Sequence, residues 1–177
     1  MDILLNMTNI VSNIAIFLTC GFTIWQLLLM KKNFKADHER RRKQATIEFY
    51  HIINKEFTKL LVPINEKFST DGIINVCDVK NDNTLLDKIY EFLSHMERLA
   101  VGVNTRIYDI TVLDRMVGSF IIKWHDRLID IIKWRRDVRK ENNLHSDFVR
   151  LVSEIIELRK KRFPKQEEKD LAKIEYS

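Results

Sequence analysis

The sequence predicts an all-α chain in which one N-terminal transmembrane helix continues into a cytoplasmic bundle of about four helices. Three observations carry that expectation. Ile3 to Met30 run for 28 residues without a charge, Lys31 to Lys43 are strongly basic, and beyond Thr84 apolar residues recur at spacings of three and four. The 177 residues are 45% hydrophobic and 31% charged with only four Gly and two Pro, which excludes collagen-like and low-complexity classes. The expected domains are a transmembrane anchor over 1–33, a cytoplasmic helical domain over 34–163 and a charged tail over 164–177.

The apolar run comes first. Ile10 to Met30 alone is 21 residues, against the ~20 needed to cross a hydrocarbon core. A secretory signal peptide would place basic residues before the run and a small-x-small cleavage site after it, and neither is present. The formal net charge of +5 is instead concentrated just after the run, since Lys31–Lys43 holds seven basic and two acidic side chains. By the positive-inside rule the N-terminus lies outside the membrane and the remainder lies in the cytoplasm. Lys31, Lys32, Lys35, Arg40, Arg41, Arg42 and Lys43 then face lipid headgroups, setting topology and attracting anionic lipid. Trp25 and Gln26 suit the inner interface. Cys20 falls in the span and Cys77 in the cytoplasmic part, so no disulfide joins them and a reducing compartment is expected.

The helices follow from the breakers. Gly21 and Pro63 are separated by 41 residues with neither Gly nor Pro, enough for one helix of about 60 Å at ~1.5 Å per residue, running from mid-membrane into the cytoplasm. Pro63 to Asn83 reads as a connection, with Ile73–Val79 its one weak β-branched run. A second helix starts near Thr84, carries Leu85, Ile89, Phe92, Met96, Leu99 and Val103 on one stripe, and ends at Gly102 and Asn104. A third starts near Thr111, is expected to bury Leu113, Met116, Val117, Phe120, Trp124, Leu128 and Ile131, and ends in Lys133, Arg135, Arg136, Arg139 and Lys140, cations suited to a helix C-terminus. Ser146 and Asp147 cap a fourth, which Pro164 stops.

The span carries an unusual polar content. At 100° per residue, Thr8, Ser12, Ala15, Thr19, Thr23 and Gln26 fall within about 80° of one another, with Asn6, Asn9, Asn13 and Cys20 on the adjoining sector. A lone helix would expose these groups to lipid at a cost on the order of a kcal/mol or more each, and association of like helices hides them. The stripe is therefore a packing seam of a homo-oligomer or, with enough copies, the lining of a wet pore.

Enzyme motifs are mostly missing. There is no glycine-rich phosphate loop, nucleophile elbow, HExxH or metal-spaced Cys/His cluster, so the expectation is a non-enzyme without cofactor or metal. Arg139 and His145 match the Arg-x4-6-His pattern of the helical HEPN ribonucleases, but with 13 Arg and five His such a match is expected by chance, and a solvated helix end is the plainer reading of Arg139. Arg135, Arg136 and Arg139, beside Trp134, form a candidate site for an anionic, nucleotide-type ligand, although a snorkelling basic face over the core is the plainer reading. Nucleic acid is not the expected main partner. Glu97 with Arg98 and Asp114 with Arg115 read as structural ion pairs.

Glu97-Arg98-Leu99-Ala100-Val101-Gly102-Val103, followed by Ile107-Tyr108-Asp109 and Met116-Val117-Gly118, resembles an uncharacterised bacterial family of membrane-anchored helical proteins, a domain of unknown function. The likeness covers roughly residues 36 to 160 and implies the helical, N-terminally anchored layout and no catalytic residues. The resemblance implies a Gly before the Ile-Tyr-Asp step, where this chain has Arg106. In size and layout the chain also resembles the small membrane effectors of anti-phage systems, such as Hailong-type channel proteins, on architecture alone. The expected function is an oligomeric pore-forming or membrane-depolarising effector gated by its cytoplasmic helices, with a regulatory protein or anionic ligand as the signal. The alternatives are a membrane-tethered interaction module and, third, a HEPN-like ribonuclease.

Overall fold

A stretch of 41 residues without Gly or Pro offers nothing to interrupt a helix, and the backbone is helical across all of it. The computed structural model describes residues 2–68 and 72–162, with side chains from residue 16 onward. The described residues form five helices: α1 (Asp2–Lys67), α2 (Val76–Val79), α3 (Asn83–Asn104), α4 (Ile110–Arg139) and α5 (Ser146–Arg162). None of them lies in a strand, and the β-branched run from Ile73 is a short extended segment followed by the single turn α2. Contacts divide the chain into two units, Met1–Arg41 and Arg42–Ser177.

In the second unit, α3, α4, α5 and the part of α1 from Arg42 onward share one core. Phe57 of α1 stacks near Phe120 of α4 at 6.0 Å between ring centroids and near Phe92 of α3 at 5.2 Å. Phe92 is itself fully buried and lies 5.1 Å from Trp124. Each such ring contributes roughly 1.5–3 kcal/mol by leaving water, so this cluster anchors the bundle. Phe148, Leu151, Val152 and Ile155 of α5 close the core against α3 and α4. The N–H of buried Ile74 donates to the Arg127 carbonyl at 2.9 Å, seating the connection before α2.

Local chemistry sets the ends of the helices. Asp82 caps α3 by accepting from the Leu85 N–H at 3.0 Å, and Asp109 caps α4 by accepting from Thr111 and Val112 at 2.9 and 3.1 Å. The first helix was expected to stop at Pro63 and instead runs to Lys67. Burial of Leu60, Leu61 and Ile64 on either side of the proline outweighs the one backbone hydrogen bond it removes. After α3 the chain turns through Arg106 at φ 63°, the left-handed conformation that Gly favours.

Asp109 is also a hub. Its other oxygen lies 2.6 Å from the Arg42 guanidinium, and its backbone N–H donates to Thr46 Oγ1 at 2.7 Å, while Thr46 donates to the Arg42 carbonyl at 2.8 Å. Burial pushes the Asp109 carboxyl up, but hydrogen bonds from Arg42, Val112 and Thr111 outweigh it and hold its pKa below the ordinary value. Arg42, expected at lipid headgroups, is thus committed to an intramolecular ion pair.

Two expected ion pairs are replaced. Asp114, with its side chain 1% exposed, binds Arg159 at 2.6 Å and Arg162 at 2.9 Å, both from α5, while Arg115 is exposed. Glu97 accepts from the Phe148 and Asp147 N–H groups at 2.9 and 3.3 Å, so α3, rather than Ser146 or Asp147, caps α5. Consecutive residues on a helix point about 100° apart, which turns the acid inward and its neighbouring Arg outward.

Candidate functional site

Each unit holds one candidate region. In Met1–Arg41 it is the apolar stretch of α1. Phe17 is 81% exposed and Leu18 70%, and Phe22, Ile24, Trp25, Leu27 and Leu28 are each more than half exposed. Consecutive apolar positions point in all directions around a helix, so the exposed apolar surface encircles it rather than forming one face. Among the described residues no helix is long and apolar enough to cross a membrane. Part of the charge-free run, with Asn6, Thr8, Asn9, Ser12, Asn13 and Ala15 of the proposed stripe, has its side chains outside the described residues.

Thr19, Thr23 and Gln26 are described, and all are exposed. The Thr23 hydroxyl donates to the Thr19 carbonyl at 2.8 Å, a bond within the helix that satisfies this donor without a neighbour. Lys31, Lys32, Lys35, Arg40 and Arg41 are exposed on the next turns, with Arg41 held to Asp37 at 2.8 Å. Lys43, at the start of the second unit, is exposed as well.

In Arg42–Ser177 the candidate is a polar cleft of about 800 Å³ between α3 and the connection from α4 to α5. That volume falls within the ~300–1,000 Å³ typical of small-molecule sites. Ser94, Glu97 and Arg98 line it from α3, Arg135 from α4, and Lys140 to His145 from the connection. The connection folds this way because α4 ends in a left-handed residue, Lys140 at φ 56°, with the Glu141 N–H returned to the Arg136 carbonyl at 3.1 Å. Arg136 Nε then donates to the Leu144 carbonyl at 2.7 Å, which brings the loop back against the end of α4.

This places His145 in the wall of the cleft at only 4% exposure, with φ 57°. Burial, reinforced by the Arg135 and Arg136 guanidiniums, lowers its pKa to about 4, so the ring is neutral at pH 7. Its Nε2 lies 3.1 Å from Arg135 Nη1, and a guanidinium can only donate, so Nε2 accepts and the ring proton resides on Nδ1. That Nδ1–H is buried without a hydrogen-bond partner, and so is Arg135 Nε. The Arg135 guanidinium also lies 3.8 Å over the Tyr90 ring. Burial raises the Glu97 carboxyl above its usual range, partly offset by the two N–H groups it accepts.

Of the three arginines expected to hold an anion, Arg135 lines the cleft, Arg136 is committed to the Leu144 carbonyl, and Arg139 is exposed. It is Arg135 rather than Arg139 that meets His145. Arg98 and Ser94 went unrecognised in the sequence; their i, i+4 spacing on one face of α3 was the available signal, but it says nothing of the loop that folds over them. Among the described residues no group of His, Cys, Asp or Glu could hold a metal ion.

No curated protein and no solved structure matches this chain. A family described as a domain of unknown function, DUF4760, matches residues 13–155, and with that match covering most of its length the chain belongs to this family.

Proposed function

We propose that this protein is an oligomeric, single-pass inner-membrane effector in which the helical domain controls a bundle of N-terminal helices that perturbs the membrane. The observation that supports this reading is the ring of exposed apolar side chains from Ile16 to Met30, flanked by exposed cations from Lys31. Leaving large side chains such as Phe17, Leu18 and Trp25 in water forgoes roughly 1.5–3 kcal/mol apiece, and lipid or sister helices recover it. The basic flank orients the chain with its helical domain in the cytoplasm. Sister helices meeting along Thr19, Thr23 and Gln26 would line a weakly selective, uncharged pore, and opening it would depolarise the cell, an outcome suited to arresting growth during phage infection. No catalytic step is part of this reading.

Replacing Thr19, Thr23 and Gln26 together with Leu tests it. The variant should still insert and should lose conductance in planar bilayers; undiminished conductance removes the pore.

A second reading, a membrane-tethered interaction module, is favoured by the Thr23 hydroxyl bonding within its own helix, since that polar group then needs no sister chain. Exchange of residues 1–33 for an unrelated, fully apolar span separates the two, because a tether keeps its activity and a pore does not. The ribonuclease reading has the least geometric support, with Arg139 exposed and His145 buried against Arg135. An RNA cleavage assay with His145→Ala decides it.

A further inference from the structure

The cleft beside His145 has a chemical bias that the membrane reading does not use. Its lining carries more cations than acids. Arg98 and Lys140 are exposed at its rim, and the buried Nδ1–H of His145 and Nε of Arg135 have no acceptor. Of its two carboxylates, Glu97 is bonded to the N-terminus of α5, while Glu141 is exposed and leaves three cations against two acids. A ligand that brings acceptor oxygens meets the surplus positive charge, and because a buried donor without an acceptor is costly, a small shift of the wall that lets those oxygens reach His145 or Arg135 is favoured. At about 800 Å³ the cavity is far larger than a bare phosphate and matches a nucleotide-sized molecule.

We propose that this cleft binds a phosphate-bearing small molecule, with Arg98 and Lys140 holding the phosphate and the wall at His145 and Arg135 shifting to offer its buried donors. Ser94 and Asn143 supply neutral polar contacts along the same wall. The site lies wholly within Arg42–Ser177, so it stands or falls independently of how the N-terminal segment behaves.

The test is calorimetric titration of the detergent-purified full chain with ATP, GTP and inorganic pyrophosphate. Saturable binding of at least one probe is expected, weakened about tenfold in Arg98→Ala and in Lys140→Gly, as loss of one charge-assisted hydrogen bond implies, and unchanged in the remote Lys59→Ala. Lys140→Gly is informative because Gly relaxes the left-handed backbone there, so weaker binding accompanied by an unchanged or higher Tm reports lost recognition rather than unfolding. Pyrophosphate binding as tightly as the nucleotides also supports the site and assigns recognition to the phosphates alone. In 15N-labelled protein the His145 Nδ1 resonance should shift on saturation. No saturable binding by any probe up to millimolar concentration, or binding unaltered in both variants, overturns the proposal.

Discussion

His145 makes the stability of the bundle depend on pH. Its ring titrates near 4 in the folded chain against 6.5 ordinarily, so between those values the unfolded state binds more protons. The contribution is complete above about pH 6.5 and is lost as the pH falls towards 4, amounting to roughly 3 kcal/mol. Glu97 acts in the opposite sense: its raised pKa means that stability declines as the pH climbs past the ordinary carboxylate range. Urea unfolding at pH 7 and pH 4.5 should show the loss. His145→Asn, which tolerates the left-handed φ of 57°, should flatten the profile. At Arg106, φ 63°, and Lys140, φ 56°, replacement by Gly should raise stability by about 0.5–1 kcal/mol each. Arg106 and Lys140 carry no residue preference for the left-handed region, and His145 carries only histidine's mild one, so the sequence marks none of the three strongly.

The helices themselves were more legible than their partnerships. Asp82, Asp109, Gly102 and Asn104 announce the limits of α3 and the start of α4 to within a residue or two, because caps are local chemistry. What a cap binds beyond its own helix is not local. Asp109 joins α4 to α1 through Arg42 and Thr46, and Asp114 joins α4 to α5 through Arg159 and Arg162, across separations a sequence does not display. Asp114→Ala should destabilise the bundle by about 3 kcal/mol in denaturant unfolding, since it leaves two guanidiniums facing a buried site without their acid. Thr46→Val should cost about 1–3 kcal/mol by orphaning the buried Asp109 N–H. Gly118 is constrained by the same cluster: a Cβ there would collide with Asp114 Oδ1 and Arg159 Nη2, so Gly118→Ala should destabilise by about 1–3 kcal/mol.

For the molecule as a whole, helical class and charge distribution could be read directly, whereas the cleft could not. Composition, sparse Gly and Pro, and apolar spacing suffice for an all-helical chain, and the surplus of positive charge is visible in Lys31–Lys43. The cleft exists only because the loop from Lys140 to His145 folds onto α3, which joins Arg98 to residues about 40 positions away. The account rests above all on lipid covering the exposed apolar ring of α1. The chain's two cysteines, Cys20 within that ring and Cys77 in the helical domain, are both exposed on the isolated chain and report on this directly. Isolated membranes bearing the full chain, opened to expose the cytoplasmic face, would be treated with a membrane-impermeant maleimide with and without detergent. With lipid over the ring, Cys77 reacts in both conditions and Cys20 only after solubilisation; if Cys20 reacts as readily as Cys77 without detergent, lipid does not cover the ring.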